Sequence, residues 1–342
     1  MMKITIRDVA KAAGVSPASV SLVLNNKPSR ISEKTKQRIF ETAGELGYLT
    51  ESMHTQNTAR HASNTIGVIV PGIRNIFSLG YLLGIEAYAE LYGYRIVSCD
   101  LGYTTGKCLD YLSFLRESGA SGVILMPPED VSRHENGRLL EEAICSSDKP
   151  CILIGSPSEH NYTDFVTSDY KSGAYTATDY LIRNGHSRIA FLSSHPDLYS
   201  SRKKLEGYKE ALLFYGIAAE DSLISIGAGT SESGYSAAGS FLQNGVTAVL
   251  SANDVMAFGM YRYASEHGLR IGEDLSVVCF NNSEYCEYLT PPLTSISEEY
   301  AAMGRKACER LIRRITNEDP DGPKSSYFVP KLIERQSVRN MQ

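Results

Sequence analysis

With 342 residues, 42% hydrophobic and 21% charged, the chain is long enough for two or three compact units and ordinary for a folded protein. Its net charge of −5 excludes a protein that is basic throughout, and no run of about 20 apolar residues is present to span a membrane. The charge is unevenly shared, however: residues 1–60 carry nine Lys/Arg against five Asp/Glu, a +4 segment ahead of a −9 body. That split predicts phosphate contact confined to one end. The opening Met-Met-Lys-Ile-Thr-Ile-Arg-Asp lacks the apolar core of a signal peptide, so the expected location is cytoplasmic. The seven cysteines form no CxxC pair and have no His at metal-ligand spacing, so reduced thiols and no metal or cofactor are expected.

The first sixty residues read as three short helices. Thr5-Ile6-Arg7-Asp8 predicts a capping box, with Thr5 accepting from the Asp8 amide. Ile6, Val9, Ala10 and Ala13 then make one apolar stripe, and Gly14 ends the helix. Ser16-Pro17 starts the next, with Ser as cap and Pro where its missing amide hydrogen costs nothing. There Val20, Val23 and Leu24 face inward, while Pro17, Ala18, Ser21, Leu22 and Asn25 form the opposite face. A third helix opens at Ser32 and buries Ile39, Ala43 and Leu46 before Gly47. This pattern suits a helix-turn-helix. It suits a generic three-helix bundle equally well.

The literal sequence separates the two. Thr5 to Asn25 (Thr-Ile-Arg-Asp-Val-Ala-Lys-Ala-Ala-Gly-Val-Ser-Pro-Ala-Ser-Val-Ser-Leu-Val-Leu-Asn) resembles the DNA-binding headpiece of the lac/gal repressor family. The likeness continues through Ile31-Ser32-Glu33-Lys34-Thr35 and Glu45-Leu46-Gly47-Tyr48. It implies a ligand-responsive transcriptional repressor that grips a double-stranded operator. The residues it assigns to DNA are Thr5, Ile6, Arg7, Ser16, Pro17, Ala18, Ser19, Ser21, Leu22, Asn25, Arg30, Thr35, Tyr48 and Met53. Leu22 departs from the family, which usually has Arg there. Arg reads guanine through O6 and N7, whereas Leu touches a thymine methyl or packs, so weak guanine dependence is expected beneath it.

Residues 1–49 thus form the expected headpiece and 50–63 a hinge or linker. Relatives carry a helix in that hinge that wedges a Leu into the minor groove; this chain lacks both the usual Pro-Asn start and the Leu. Met53 is the sizeable apolar side chain left for a wedge, and a plain flexible linker is the other reading.

From Thr65 onward short apolar runs alternate with helical stretches. Ile66–Val70, Arg95–Cys99, Gly122–Met126, Cys151–Ile154, Ile189–Leu192, Ala248–Ser251 and Ser276–Cys279 read as buried parallel strands. Helices are predicted near 78–92, 107–118, 170–184, 202–215, 231–244, 254–267 and 298–314. The alternation predicts an α/β architecture of two doubly wound lobes with a ligand between them. The expected lobes are 64–163 with 295–322, and 164–294 with 323–342.

The family resemblance extends over this body through Ile-Gly-Val-Ile-Val-Pro (66–71), Arg-Asn-Gly-His-Ser-Arg-Ile-Ala-Phe (183–191), Ala-Asn-Asp-Val-Met-Ala-Phe-Gly (252–259) and Leu-Thr-Pro-Pro-Leu-Thr-Ser-Ile (289–296). It implies a periplasmic-binding-protein type of sensor with three crossovers, and a homodimer formed through the sensor lobes. Carried over position by position, the effector set is Arg74, Asn75, Phe77, Gly155, Ser156, Arg202, Lys204, Asn253, Asn281 and Tyr300. Sugar-binding relatives often place Asp at the positions of Gly155 and Asn281 and Arg at that of Lys204, which predicts a less acidic pocket here. A sugar or glycoside and an anionic ligand such as a sugar phosphate both remain open. Asp169 and Asp254 are expected to cap helices as readily as to touch ligand.

Catalysis finds little support. Between Gly102 and Lys107 the glycine spacing is one residue short of a phosphate loop, and Cys108 stands where Ser or Thr would hold magnesium. His134-Glu135 has no second His at metalloprotease spacing, and no Gly-x-Ser-x-Gly elbow occurs. A pure solute receptor, the other use of the sensor fold, would carry a signal peptide where this chain carries the basic headpiece.

Overall fold

In the computed structural model, residues 5–24, 31–46, 63–73, 75–102, 104–132, 134–157 and 162–342 are described. The chain forms two units, Met1–Asn64 and Thr65–Gln342.

The first unit contains α1 (Ile6–Ala13), α2 (Pro17–Leu24) and α3 (Glu33–Glu45). Val9, Ala10 and Ala13 from α1, Val20 and Val23 from α2, and Ile39 and Ala43 from α3 close one small core, edged by Ile6, Val15, Ile31 and Leu46. The ends are set by local chemistry. Asp8 Oδ2 accepts from both the Thr5 amide at 2.8 Å and the Thr5 hydroxyl at 2.6 Å. The expected capping box is present, with the Thr5 side chain serving the Asp8 amide and the Asp8 carboxylate the Thr5 amide, and the Asp8 amide also reaches the Thr5 carbonyl at 3.0 Å. The two bonds that Thr5 donates hold the Asp8 carboxyl below its ordinary value. Gly14, at φ 62°, takes the left-handed conformation that stops α1. Ser16 then caps α2 by accepting the Ser19 amide at 3.0 Å, and Ser32 caps α3 by accepting the Thr35 amide at 3.3 Å.

The second unit is built on two six-stranded sheets. Its first sheet holds β1 (Ser63–Val70), β2 (Arg95–Asp100), β3 (Ala120–Leu125), β4 (Cys151–Ile154), β5 (Asp164–Ser168) and β11 (Ser325–Phe328), in the order β11-β5-β4-β3-β1-β2. Side chains alternate along β1: Ile66, Val68 and Val70 join one core while Ile69 joins the other. On the first side lie α4 (Ile76–Leu91) and α12 (Tyr300–Ile315); on the second, α5 (Thr105–Glu117) and α6 (His134–Cys145). Both faces are covered at the centre of the sheet, which is why β3 and β4 are buried along their whole length and read as apolar runs.

The other sheet holds β6 (Ile189–Ser193), β7 (Ile224–Ile226), β8 (Ala248–Ser251), β9 (Ser276–Phe280), β10 (Thr294–Ser297) and β12 (Lys331–Ile333), in the order β12-β10-β9-β8-β6-β7. It is flanked by α7 (Tyr170–Arg183), α8 (Tyr199–Phe214), α9 (Ser231–Gln243) and α10 (Asp254–Glu266), with a single turn, α11 (Tyr285–Tyr288), after β9. The α9–α10 contact is close enough that a Cβ on Gly259 would stand 1.8 Å from the Ser231 carbonyl oxygen, and one on Gly234 1.8 Å from that of Met256. Only glycine fits at such a crossing.

The chain passes between lobes three times: from β5 into α7, from β10 into α12, and from β11 to β12 through Val329-Pro330. The expected boundaries need correction, because β5 and β11 belong to the first sheet and β10 to the second. Helices α6 and α11 and strands β5, β7, β10, β11 and β12 were not foreseen as elements.

Candidate functional site

In the headpiece, Thr5, Arg7, Ser16, Pro17 and Ala18 are exposed, and Ile6, Ser19, Ser21, Leu22 and Thr35 are half-buried. Val20 and Val23 are turned into the core, which leaves Pro17, Ala18, Ser21 and Leu22 on the outer side of α2, as the spacing predicts. Asn25, Arg30, Tyr48 and Met53 lie outside the described residues, as does Arg74.

The sensor cluster is assembled at the carboxyl ends of parallel strands, where open α/β sheets place ligands. Gly155 follows β4, Asn253 follows β8, Asn281 follows β9 and Glu298 follows β10. Tyr300, at the start of α12, donates its hydroxyl to Asn281 Oδ1 at 3.0 Å. Its ring lies 6.3 Å from that of Phe77 and edge-on to that of Tyr81 at 5.0 Å. Asn281 in turn donates to Asp254 Oδ1 at 3.3 Å, and the Ser283 amide donates to Asp254 Oδ2 at 3.3 Å. Tyr170 donates to the Gly155 carbonyl at 3.4 Å. Burial keeps the phenols of Tyr81, Tyr170 and Tyr300 well above their ordinary value, so they act as neutral hydrogen-bonding groups.

Lys204 is the buried cation of this cluster, only 6% exposed. Its ammonium donates to the Ala252 carbonyl at 3.0 Å, lies 4.0 Å from the Phe280 ring centre and stands 3.8 Å from the Glu298 carboxylate. Glu298 is only 5% exposed. Burial pushes Lys204 down and Glu298 up, each opposed by the charge of the other. Whether ionised or with the proton shared, the pair adds no net charge. The expected loss of acidity is therefore offset: Gly155 and Asn281 bring no carboxylate, but Glu298 and Asp254 do.

Other expected members stand apart from these links. Asn253 caps α10 by accepting the Met256 amide at 2.8 Å, and Asp169 caps α7 by accepting that of Ser172 at 3.1 Å. Exposed Arg202 donates to the Asp197 carbonyl. Asn75 is the residue before α4, and Ser156 is half-buried beside Gly155. A cavity of 220 Å³ lined by Leu112, Arg116, Ile144 and Cys151 lies against α5 and α6, on the other face of the first sheet. Sequence reasoning missed Tyr81, Tyr170 and Glu298. The tyrosines sit in ordinary apolar stripes, and Glu298 carries no sequence signal that separates it from Glu299. Among the described residues no His, Cys, Asp and Glu group is arranged to hold a metal ion.

Residues 5–51 match the model for bacterial regulatory proteins of the lacI family, and residues 178–338 the periplasmic binding protein-like domain. The HTH-type transcriptional repressor PurR of Vibrio atlanticus (strain LGP32) is 32% identical over 340 residues, 98% of this chain and 99% of the relative. The chain belongs to the lacI family. Among solved structures, the lac repressor dimer bound to operator and the anti-inducer ONPF superposes with a TM-score of 0.81 at 25% identity, covering 99% of this chain and 100% of that one. The CelR–cellobiose complex follows with a TM-score of 0.73 at 27% identity, over 98% and 99% of the two chains. As a lacI-family member the protein is a DNA-binding transcriptional regulator with a ligand-responsive sensor, and it works by binding, not by catalysis. No helix among the described residues is long and apolar enough to cross a membrane.

Proposed function

We propose that this lacI-family protein represses carbohydrate-utilisation genes, holding a roughly palindromic operator as a homodimer. Its effector is a neutral, hydroxyl-rich ring, a sugar or glycoside, bound at Phe77, Asn281 and Tyr300. The observation that carries the effector class is the Lys204–Glu298 pair: the buried cation already has its counter-charge 3.8 Å away, so a phosphate or carboxylate gains little there. Aromatic rings suit the C–H face of a sugar and the Asn281 amide its hydroxyls. The buried hydroxyls of Ser78 and Ser168, at the start of α4 and the end of β5, have no hydrogen-bond partner among the described residues and are available to a polar ligand. Similar regulators crystallise with cellobiose and with ribose, which fits the same class.

For the dimer, the supporting surface is on the first lobe, where Leu79 and Leu83 of α4 and Tyr92 just beyond it are more than half exposed. Exposed apolar groups grouped in this way mark association surfaces. Effector binding then changes operator affinity by the difference in its own affinity for the two sensor states.

The test is selection of genomic fragments by the purified protein, followed by shifting the bound site with neutral sugars, sugar phosphates and nucleobases. A palindromic site without a strict guanine under Leu22, shifted by one neutral sugar, is the expected result. A strict guanine there overturns the reading of Leu22; a response confined to phosphorylated or heterocyclic compounds overturns the effector class. Glu298→Gln leaves the Lys204 cation unmatched, and sugar phosphates are expected to gain about tenfold in affinity, the order of a single charge-assisted hydrogen bond.

A further inference from the structure

We propose that the first lobe holds a second ligand site, between α5 and α6, which takes a small monocarboxylate with an apolar body. Both helices pack on the same face of the first sheet, and their beginnings are fastened together. Asp130 Oδ1 accepts from the amide and the hydroxyl of Thr105, at 2.9 and 2.6 Å, and the Asp130 carbonyl accepts from Asn136 at 3.0 Å. Thr105 opens α5, and Asn136 lies in the first turn of α6. At the far ends of the two helices, around Arg116 and Ile144, the 220 Å³ cavity opens. It has the volume of about seven bulk waters. A close-packed interior leaves few voids larger than one.

The wall of the cavity toward the sheet is apolar. Leu112, Val123, Ile144 and Cys151 line it and pack in the core beneath, where burial pushes the Cys151 thiol up and keeps it uncharged. The charged groups in the lining are both cations: Arg116 in the last turn of α5, and Lys149 just before β4. No carboxylate lines the cavity among the described residues. Lys149 has the Asp148 carboxylate 3.6 Å away, whereas the Arg116 guanidinium has no acceptor among the described residues. Arg95, Arg138, Arg313 and Arg314 of the same lobe each hold a carboxylate. Arg116 therefore stands out as a cation left open beside a void.

One uncompensated positive charge calls for a single negative one. A guanidinium fork meets a carboxylate through two parallel N–H donors. The Ser147 hydroxyl, which accepts the Lys149 amide at 3.1 Å, keeps its own proton to donate to the same ligand. The apolar wall suits a ring or a short branched chain, so the volume and the charge together fit an arylacetate. The site is separate from the effector cluster. Ala120 and Cys151, which line the cavity, begin β3 and β4, whereas Gly155 follows the end of β4. The cavity thus lies at the amino ends of the strands and the effector cluster at their carboxyl ends. Both can be filled at once, and the chemistry of the cavity is independent of the effector class proposed above.

The experiment titrates the full-length protein calorimetrically with phenylacetate, with inorganic phosphate and with neutral phenylacetamide, and locates the ligand by hydrogen–deuterium exchange. Phenylacetate is expected to bind about tenfold more tightly than either comparison compound, the order of one charge-assisted hydrogen bond. It should slow exchange over residues 109–116 and 143–151, which border the cavity. Arg116→Gln, a change at an exposed position, should weaken phenylacetate about tenfold. Arg138→Gln, at an exposed arginine of α6 outside the lining, should not. Tyr300→Phe, in the effector cluster, should leave phenylacetate binding unchanged. Equal binding of phenylacetamide or of phosphate overturns the proposal, as does the absence of binding at millimolar phenylacetate. Binding lost in Tyr300→Phe but kept in Arg116→Gln overturns it too, since the compound would then occupy the effector cleft.

Discussion

The headpiece and the sensor close their cores by different means. Among the described side chains of residues 5–46, the buried apolar ones are Val9, Ala10, Ala13, Val20, Val23, Ile39 and Ala43, all but one of them small. Helices of 8, 8 and 13 residues cannot stand on their own hydrogen bonds, so the serine caps and the Thr5–Asp8 box carry a large share of the order. Each sensor lobe instead presses helices of up to 16 residues onto both faces of a sheet. A module this small changes stability through its ends, and a lobed body through its interior.

The largest expected effect lies in that interior. Lys204→Met leaves Glu298 buried without its partner and should cost the sensor about 3–5 kcal/mol, with most of it regained in Lys204→Met/Glu298→Leu. Denaturant titration of the single and double variants checks this, and a double variant as unstable as the single would show that the pair is not the source. Next comes Gly259→Ala. Its Cβ would be driven into the Ser231 carbonyl, and an overpacking cost of about 1–3 kcal/mol in the sensor transition is expected, with headpiece helicity unchanged. Calorimetry resolves the two units if they melt apart. The smallest effect sharpens the contrast from the other side: Ser16→Ala removes the cap of α2 and should cost about 1 kcal/mol, confined to the headpiece. Loss of headpiece helicity by circular dichroism of residues 1–64 would register it.

The seven strands foreseen in the sensor each carry at least two consecutive branched or otherwise apolar residues, and each forms. The five that were missed are three to five residues long, and they begin, end or run in polar residues such as Asp164, Ser325 and Lys331, where an alternating or continuous apolar signal has no room. Asp164 shows why the fold tolerates this. Its buried carboxylate is gripped at 2.8 Å on each oxygen by Arg314, a residue 150 positions away, and such a partner is invisible to any local window. Helix α6 was hidden by Asn136-Gly137 in its first turn. At the site, Phe77, Lys204, Asn281 and Tyr300 were legible only through family resemblance. Glu298 was not legible at all: in Ser-Glu-Glu-Tyr it looks like an acidic lead-in to a helix, and only its burial distinguishes it from exposed Glu299.

The last passage between lobes has a mechanical consequence. Residues 325–333 form the hem of both sheets, with β11 laid parallel to β5 and β12 laid antiparallel to β10. Two residues separate the hems: Val329, 70% exposed, and buried Pro330. The proline ring fixes its own φ and leaves few free torsions in the link. A rotation of one lobe against the other must therefore pass through a stitch two residues long, which lets the lobes swing about a seam but resists their sliding along it.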